Sequence, residues 1–154
     1  MGVQDLDQGE HERARPFFEE ALVISRELGH KRNIVYALHN LAEVARHTGQ
    51  YEKARSLGME VVSVSQEMDD KWTVARDYIW LGIVTAYKGD DYEEAAGYLE
   101  EGFALVREVG DWEWVAYALD CFAVIAGAKG QGERAARLWG AAEALRKSIG
   151  ATLH

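Results

Sequence analysis

At 154 residues, 48% hydrophobic and 28% charged, the chain is long enough to bury a continuous core and too short for two independent ones. A net charge of −9 with no basic stripe argues against nucleic-acid binding by this segment. The uncharged runs are too short to span a membrane, and Met1 to Asp7 lacks the basic and apolar regions of a signal peptide, so a cytoplasmic location is expected. The one cysteine, Cys121, has no partner for an internal disulfide and reads as a small buried side chain.

In chain order, glycines at 9, 29, 49, 89, 110, 130 and 150 recur every twenty or twenty-one residues, with Met68-Asp69-Asp70-Lys71 in the one missing place. Glycine takes the left-handed conformation that closes a helix, so each reads as a cap ending a run of about seventeen residues. The first helix is expected at about 12–28. Pro16 would break a helix interior, which sets the start near Glu12. Three pairs follow: 31–48 with 51–68, 71–88 with 92–109, and 112–129 with 132–149. The prediction is all-α, with seven antiparallel helices in one domain over 1–154.

The helices alternate between two kinds. Gly9-Glu10-His11-Glu12-Arg13-Ala14 recurs as Gly49-Gln50-Tyr51-Glu52-Lys53-Ala54, as Gly89 to Ala95 with one insertion, and as Gly130 to Ala135. The alanines step by 40, 41 and 40. The intervening helices read Leu38-x-x-Leu41-Ala42, Tyr78-x-x-Leu81-Gly82 and Leu119-x-x-Phe122-Ala123, the large-then-small positions of a close helix contact. Between Tyr51 and Gly110 thirteen acids face six bases. Asp90, Asp91, Glu93, Glu94, Glu100 and Glu101 cluster on one helix, which reads as a solvated outer face.

A large residue, a second three positions on, a small one next and an alanine twelve later resembles the tetratricopeptide repeat. Ala42 to Ala54 and Ala123 to Ala135 keep that step, and Gly82 to Ala95 is one longer because of Asp90-Asp91. The family period is about 34 residues. The longer period here resembles the C-terminal repeats of large bacterial signalling ATPases and of LuxR-like and AfsR-like transcriptional regulators, as does the run Gly132 to Gly150. The resemblance implies a right-handed α-α superhelix, with a half repeat at 10–29 and whole repeats at 30–69, 70–110 and 111–150. The array then starts on the second helix of a repeat.

In this family the concave wall, built by the first helix of each pair, usually carries the function. Carried over residue by residue, its groove positions fall on Tyr36, His39, Asn40, Glu43 and His47, on Arg76, Ile79, Trp80, Ile83 and Tyr87, and on Tyr117, Asp120, Cys121 and Val124. Trp80, Tyr87 and Tyr117 would stack on a partner, and Arg76 and His39 would hold an acidic group. The competing reading packs these aromatics inside the array. Glu43 stands where receptors of chaperone tails carry asparagine and would repel a terminal carboxylate. Solenoids need polar caps. Phe17, Phe18 and Leu22 at one end and Leu138, Trp139, Leu145 and Ile149 at the other suggest self-association as a homodimer, or contact with a missing part of a longer protein.

Catalytic patterns are weak. Gly130-x-Gly132-x-x-Ala135 mimics a dinucleotide fingerprint but joins two helices, and His11-Glu12 lacks the second histidine of a zinc protease. His39, Glu43 and His47 lie on successive turns, a spacing that also suits a weak metal site, although an exposed polar stripe explains it as well. The sequence therefore favours a non-catalytic scaffold without cofactor that binds a protein or peptide, as part of a bacterial signalling or transcription regulator. A small-molecule sensor using the aromatic middle of the groove, and a metal-dependent enzyme on His39, Glu43 and His47, are the alternatives.

Overall fold

Each interhelical turn closes where the chain can adopt a positive φ. Gly29, Gly49, Gly89, Gly110 and Gly130 do so at 68° to 84° in the computed structural model, which describes residues 3–89 and 91–153, with side chains from 9 to 150 apart from 90. Asp90 of the acidic cluster lies outside the described residues. The turns separate seven described helices: α1 (Val3–Leu28), α2 (Lys31–His47), α3 (Tyr51–Glu67), α4 (Lys71–Lys88), α5 (Tyr92–Val109), α6 (Trp112–Ala128) and α7 (Gly132–Leu153). The chain is all-α, its helices packed in sequence as tetratricopeptide-like pairs.

The missing glycine is replaced by Asp69, at φ 55°. Aspartate tolerates the left-handed region better than most side chains but pays a steric cost that glycine does not. Asp69→Gly is therefore expected to stabilise the protein by about 0.5–1 kcal/mol, measured as a raised urea midpoint at unchanged m-value. An unchanged or lower midpoint would show that the Asp69 side chain contributes more than its backbone costs.

Two expectations about the ends are corrected. Gly9 and Gly150 close no helix, since α1 runs through the first and α7 through the second. The first helix starts at Val3 rather than near Glu12 and holds Pro16 in its interior. Pro16 is exposed, so the Glu12 carbonyl that loses its N–H partner can turn to water, and the Arg15–Glu12 ion pair spans the same turn.

The chain forms two compact units, 1–70 and 71–154. In the first, α2 packs against both α1 and α3. Leu22, Val35, Ala37, Leu38 and Val61 form its core, with Leu41, Leu57, Val64 and Met68 against it. Leu22, expected to be an exposed end residue, is only 8% accessible. In the second unit, α4 with α5 and α6 with α7 form close pairs, joined by α5 against α6. Ala75, Ile79, Ala95, Leu99, Val106, Cys121 and Ile125 are at the centre, with Phe103 and Phe122 in edge contact at 5.9 Å.

The α4–α5 pair shows why small residues recur. A Cβ on Gly102 would lie 2.6 Å from Ile79 Cγ1 and 2.8 Å from the Ala75 carbonyl oxygen. A Cβ on Gly82 would lie 2.7 Å from Leu99 Cγ. Each helix lends one glycine to a crossing where the other's side chains and backbone come within contact distance.

Candidate partner-binding groove

Side chains of α4, α5 and α6 enclose an open groove of about 260 Å³ in the second unit. Ile83, Ala86 and Tyr87 come from α4, Tyr92 and Leu99 from α5, and Tyr117, Asp120, Cys121, Val124, Ile125 and Ala128 from α6. The helical period explains the α6 set: 117, 121, 124 and 128 follow one face, and 120 and 125 flank it. The Asp111 cap fixes where that face begins. Its Oδ1 accepts the Trp114 N–H at 3.2 Å, while Oδ2 accepts the Trp72 indole N–H of α4 at 2.8 Å.

The groove is apolar inside and aromatic at its rim. Tyr87 is 57%, Tyr117 42% and Val124 57% accessible. Tyr117 is held edge-on by Trp114 at 5.2 Å. Asp120, the acidic lining residue, is ion-paired to Arg146 of α7, which raises the guanidinium pKa through their hydrogen bond. Burial, followed by the nearby Asp120 carboxylate, pushes the Cys121 thiol up to about 12. Cys121 is therefore a protonated, small apolar wall element at neutral pH rather than a nucleophile.

Six of the residues expected on the concave wall meet here: Ile83, Tyr87, Tyr117, Asp120, Cys121 and Val124. Ile79 does not face outward. It is fully buried beneath Gly102, because that glycine leaves room for a branched side chain between the helices. Arg76 and Trp80 are half-buried on α4 outside the groove lining. The Arg76 guanidinium lies over the Trp72 ring at 5.1 Å and 3.6 Å from the Asp77 carboxylate. Sequence reasoning missed Tyr92 and Leu99 because they sit on the second helix of the pair. Their seven-residue spacing, two helical turns, was the available signal.

The remaining wall residues lie on α2 in the first unit. Tyr36 is 64% accessible and meets Phe18 edge-on at 6.4 Å. The Asn40 amide donates to the Tyr36 carbonyl at 2.8 Å. Glu43 accepts from Arg46 at 2.8 and 3.3 Å and lies 3.4 Å from His47 Nε2. His47 stacks on His11 of α1 at 4.0 Å, while His39 is half-buried. The Glu43 carboxylate is thus engaged by a guanidinium, and no group of three metal-ligating side chains converges among the described residues.

Of the expected self-association residues, Phe17 is 73% and Trp139 48% accessible, whereas Phe18, Leu138 and Leu145 are half-buried. The repeat register explains Trp139. It occupies the position of Leu99, which α4 and α6 enclose. The same register puts Glu143 and Arg146 where α5 has Phe103 and Val106, so this face of α7 is partly polar. Ile149 is half-buried beside a second cavity of about 350 Å³, which Glu113, Arg146 and Gly150 also line. No described helix is long and apolar enough to cross a membrane.

Paired helices with an open groove between successive first helices define a repeat scaffold, and the comparisons with known proteins agree. Residues 1–67 match the tetratricopeptide repeat family, and residues 81–129 match the family of anaphase-promoting complex subunit 5. Tetratricopeptide repeats are generally protein–protein interaction modules and usually non-catalytic. No curated protein is a significant match by sequence. Among solved structures, BtubC (BKLC) from P. vanneervenii is similar at 23% identity and a TM-score of 0.81, covering 92% of this chain and 59% of its own. The apo form of RapI is similar at 17% identity and a TM-score of 0.66, covering 94% of this chain and 65% of its own. The chain thus spans less than two thirds of either protein, and the likeness is one of fold.

Proposed function

We propose that the chain is a non-catalytic interaction scaffold of a cytoplasmic signalling or transcription-regulatory protein, and that the groove of the second unit takes an apolar or aromatic side chain of a peptide partner. The observation that carries this reading is the 260 Å³ apolar groove rimmed by exposed Tyr87, Tyr117 and Val124. Exposed aromatics around a small pocket supply large contact area at low entropic cost, which is how interface anchors work. A carboxylate placed at Val124 would have to be desolvated by any apolar anchor.

Selection of displayed random peptides on the immobilised chain tests this. Enriched peptides are expected to carry a bulky apolar anchor and to bind the Val124→Asp variant at least about tenfold more weakly. Equal binding to both proteins, at equal helicity, would contradict the assignment. A small apolar effector is the second reading, because the same volume would hold one. Its reporter would be the groove tyrosines rather than Trp80, which does not line the groove.

A further inference from the structure

The helix α1 carries an apolar stripe on the side turned away from the core of its unit. Phe17, Ile24 and Leu28 lie within one narrow sector of the helix and are 73%, 47% and 63% accessible. The repeat register identifies these positions. Phe17 corresponds to Leu57, Tyr98 and Leu138, and Ile24 to Val64, Leu105 and Leu145, all of them half-buried, whereas Val109, the counterpart of Leu28 on α5, is exposed. In those pairs the first helix covers the stripe: Leu57 and Val64 pack into the core with Leu38 and Leu41 of α2, and Tyr98 stacks on Tyr78 of α4 at 6.4 Å. Among the described residues no helix covers it on α1.

Charge marks the same absence. Glu67 at the end of α3 pairs with Lys31, the first residue of α2, at 3.6 Å, and Glu108 near the end of α5 pairs with Lys71, the first residue of α4, at 2.5 Å. The register places Glu27 of α1, which is exposed, in this column. In these two of the three completed pairs the lysine stands seven residues before the large-x-x-large-small run, Leu38-x-x-Leu41-Ala42 or Tyr78-x-x-Leu81-Gly82, whereas the third has Trp112 and Ser148 in the places of the lysine and the glutamate.

We propose that the Phe17–Ile24–Leu28 face of α1 docks an amphipathic helix of a partner protein that begins with a basic residue and carries a large-x-x-large-small run two turns later, completing the repeat. A second copy of this chain does not offer such a helix, because the corresponding faces of α2, α4 and α6 are already buried against α3, α5 and α7. The helix that would fit there is basic at its start, to meet Glu27.

A fluorescein-labelled peptide of residues 31–48 is the probe, titrated with the full chain and followed by anisotropy. Saturable binding is expected, weakened at least about tenfold by Ile24→Asp at unchanged helicity. A Lys31→Glu peptide is expected to bind about two- to fivefold more weakly, with recovery on the Glu27→Lys chain, a signature of register that non-specific apolar contact would not give. Three results would overturn the proposal: no saturation, equal binding to the Ile24→Asp chain, or binding that falls with Val124→Asp instead, which would place the peptide in the groove. Light scattering that finds a dimer dissociated by Ile24→Asp would also overturn it, by making the occupant a second copy.

Discussion

Replacing Gly102 with alanine is expected to destabilise the protein by about 3 kcal/mol. The added methyl group would sit 2.6 Å from Ile79 Cγ1, 2.8 Å from the Ala75 carbonyl oxygen and 3.0 Å from the Ile79 amide nitrogen. Two of those atoms are backbone, so a rotamer change cannot relieve the clash, and α5 must move off α4. That movement reaches Ile79, Leu99 and Val106, all fully buried. The melting temperature should fall by roughly 10 °C. Gly97 supplies the control. It is also inside α5, but a Cβ there meets nothing within 4 Å, so Gly97→Ala should gain about 1 kcal/mol from helix propensity. Equal effects of the two substitutions in urea melts would mean that the close crossing does not set the stability of this pair.

Asp111→Ala is expected to cost about 2–3 kcal/mol, more than the loss of an ordinary helix cap. One carboxylate oxygen caps α6 at Trp114 N–H and the other receives the Trp72 indole N–H. Removing it strips the cap and leaves the half-buried indole without that acceptor. Asp111→Asn keeps a single acceptor oxygen and turns an NH2 donor toward the other N–H, so it should recover the cap but not the indole bond, about half of the loss. Trp72→Phe should cost about half as much as Asp111→Ala, because it removes only the indole donor, leaves the half-buried Asp111 oxygen to water and spares the cap. Circular-dichroism melts of the three variants separate these contributions. A loss for Asp111→Ala no larger than about 1 kcal/mol would show that the Trp72 bond contributes nothing beyond the cap.

The periodic part of the fold was legible because helix ends and close crossings impose local requirements. Gly29, Gly49, Gly89, Gly110 and Gly130 mark real turns, since a left-handed residue is needed wherever one helix closes against the next. Gly9 and Gly150 share the spacing but not the requirement, and the helices run through them. Pro16 misplaced the start of α1 for a related reason: a proline's cost depends on whether the freed carbonyl reaches water, which the sequence does not reveal. Pattern transfer named Tyr117 and Val124, which line the groove, but also Ile79, which is buried. What buries Ile79 is the absence of a side chain at Gly102, twenty-three residues away. The histidine stripe of α2 was visible as spacing, whereas the stacking of His47 on His11 depends on how α1 lies against it.

The central claim is that the groove between α4 and α6 is the binding surface. Methyl-resolved NMR of the labelled chain, titrated with a peptide taken from the display selection, tests it most directly. The account predicts shifts concentrated on Ile83, Ala86, Val124, Ile125 and Ala128, with little change at Val23, Ile24 and Leu28 of α1. Saturable binding that shifts the α1 methyls and leaves those of the groove unmoved would contradict it.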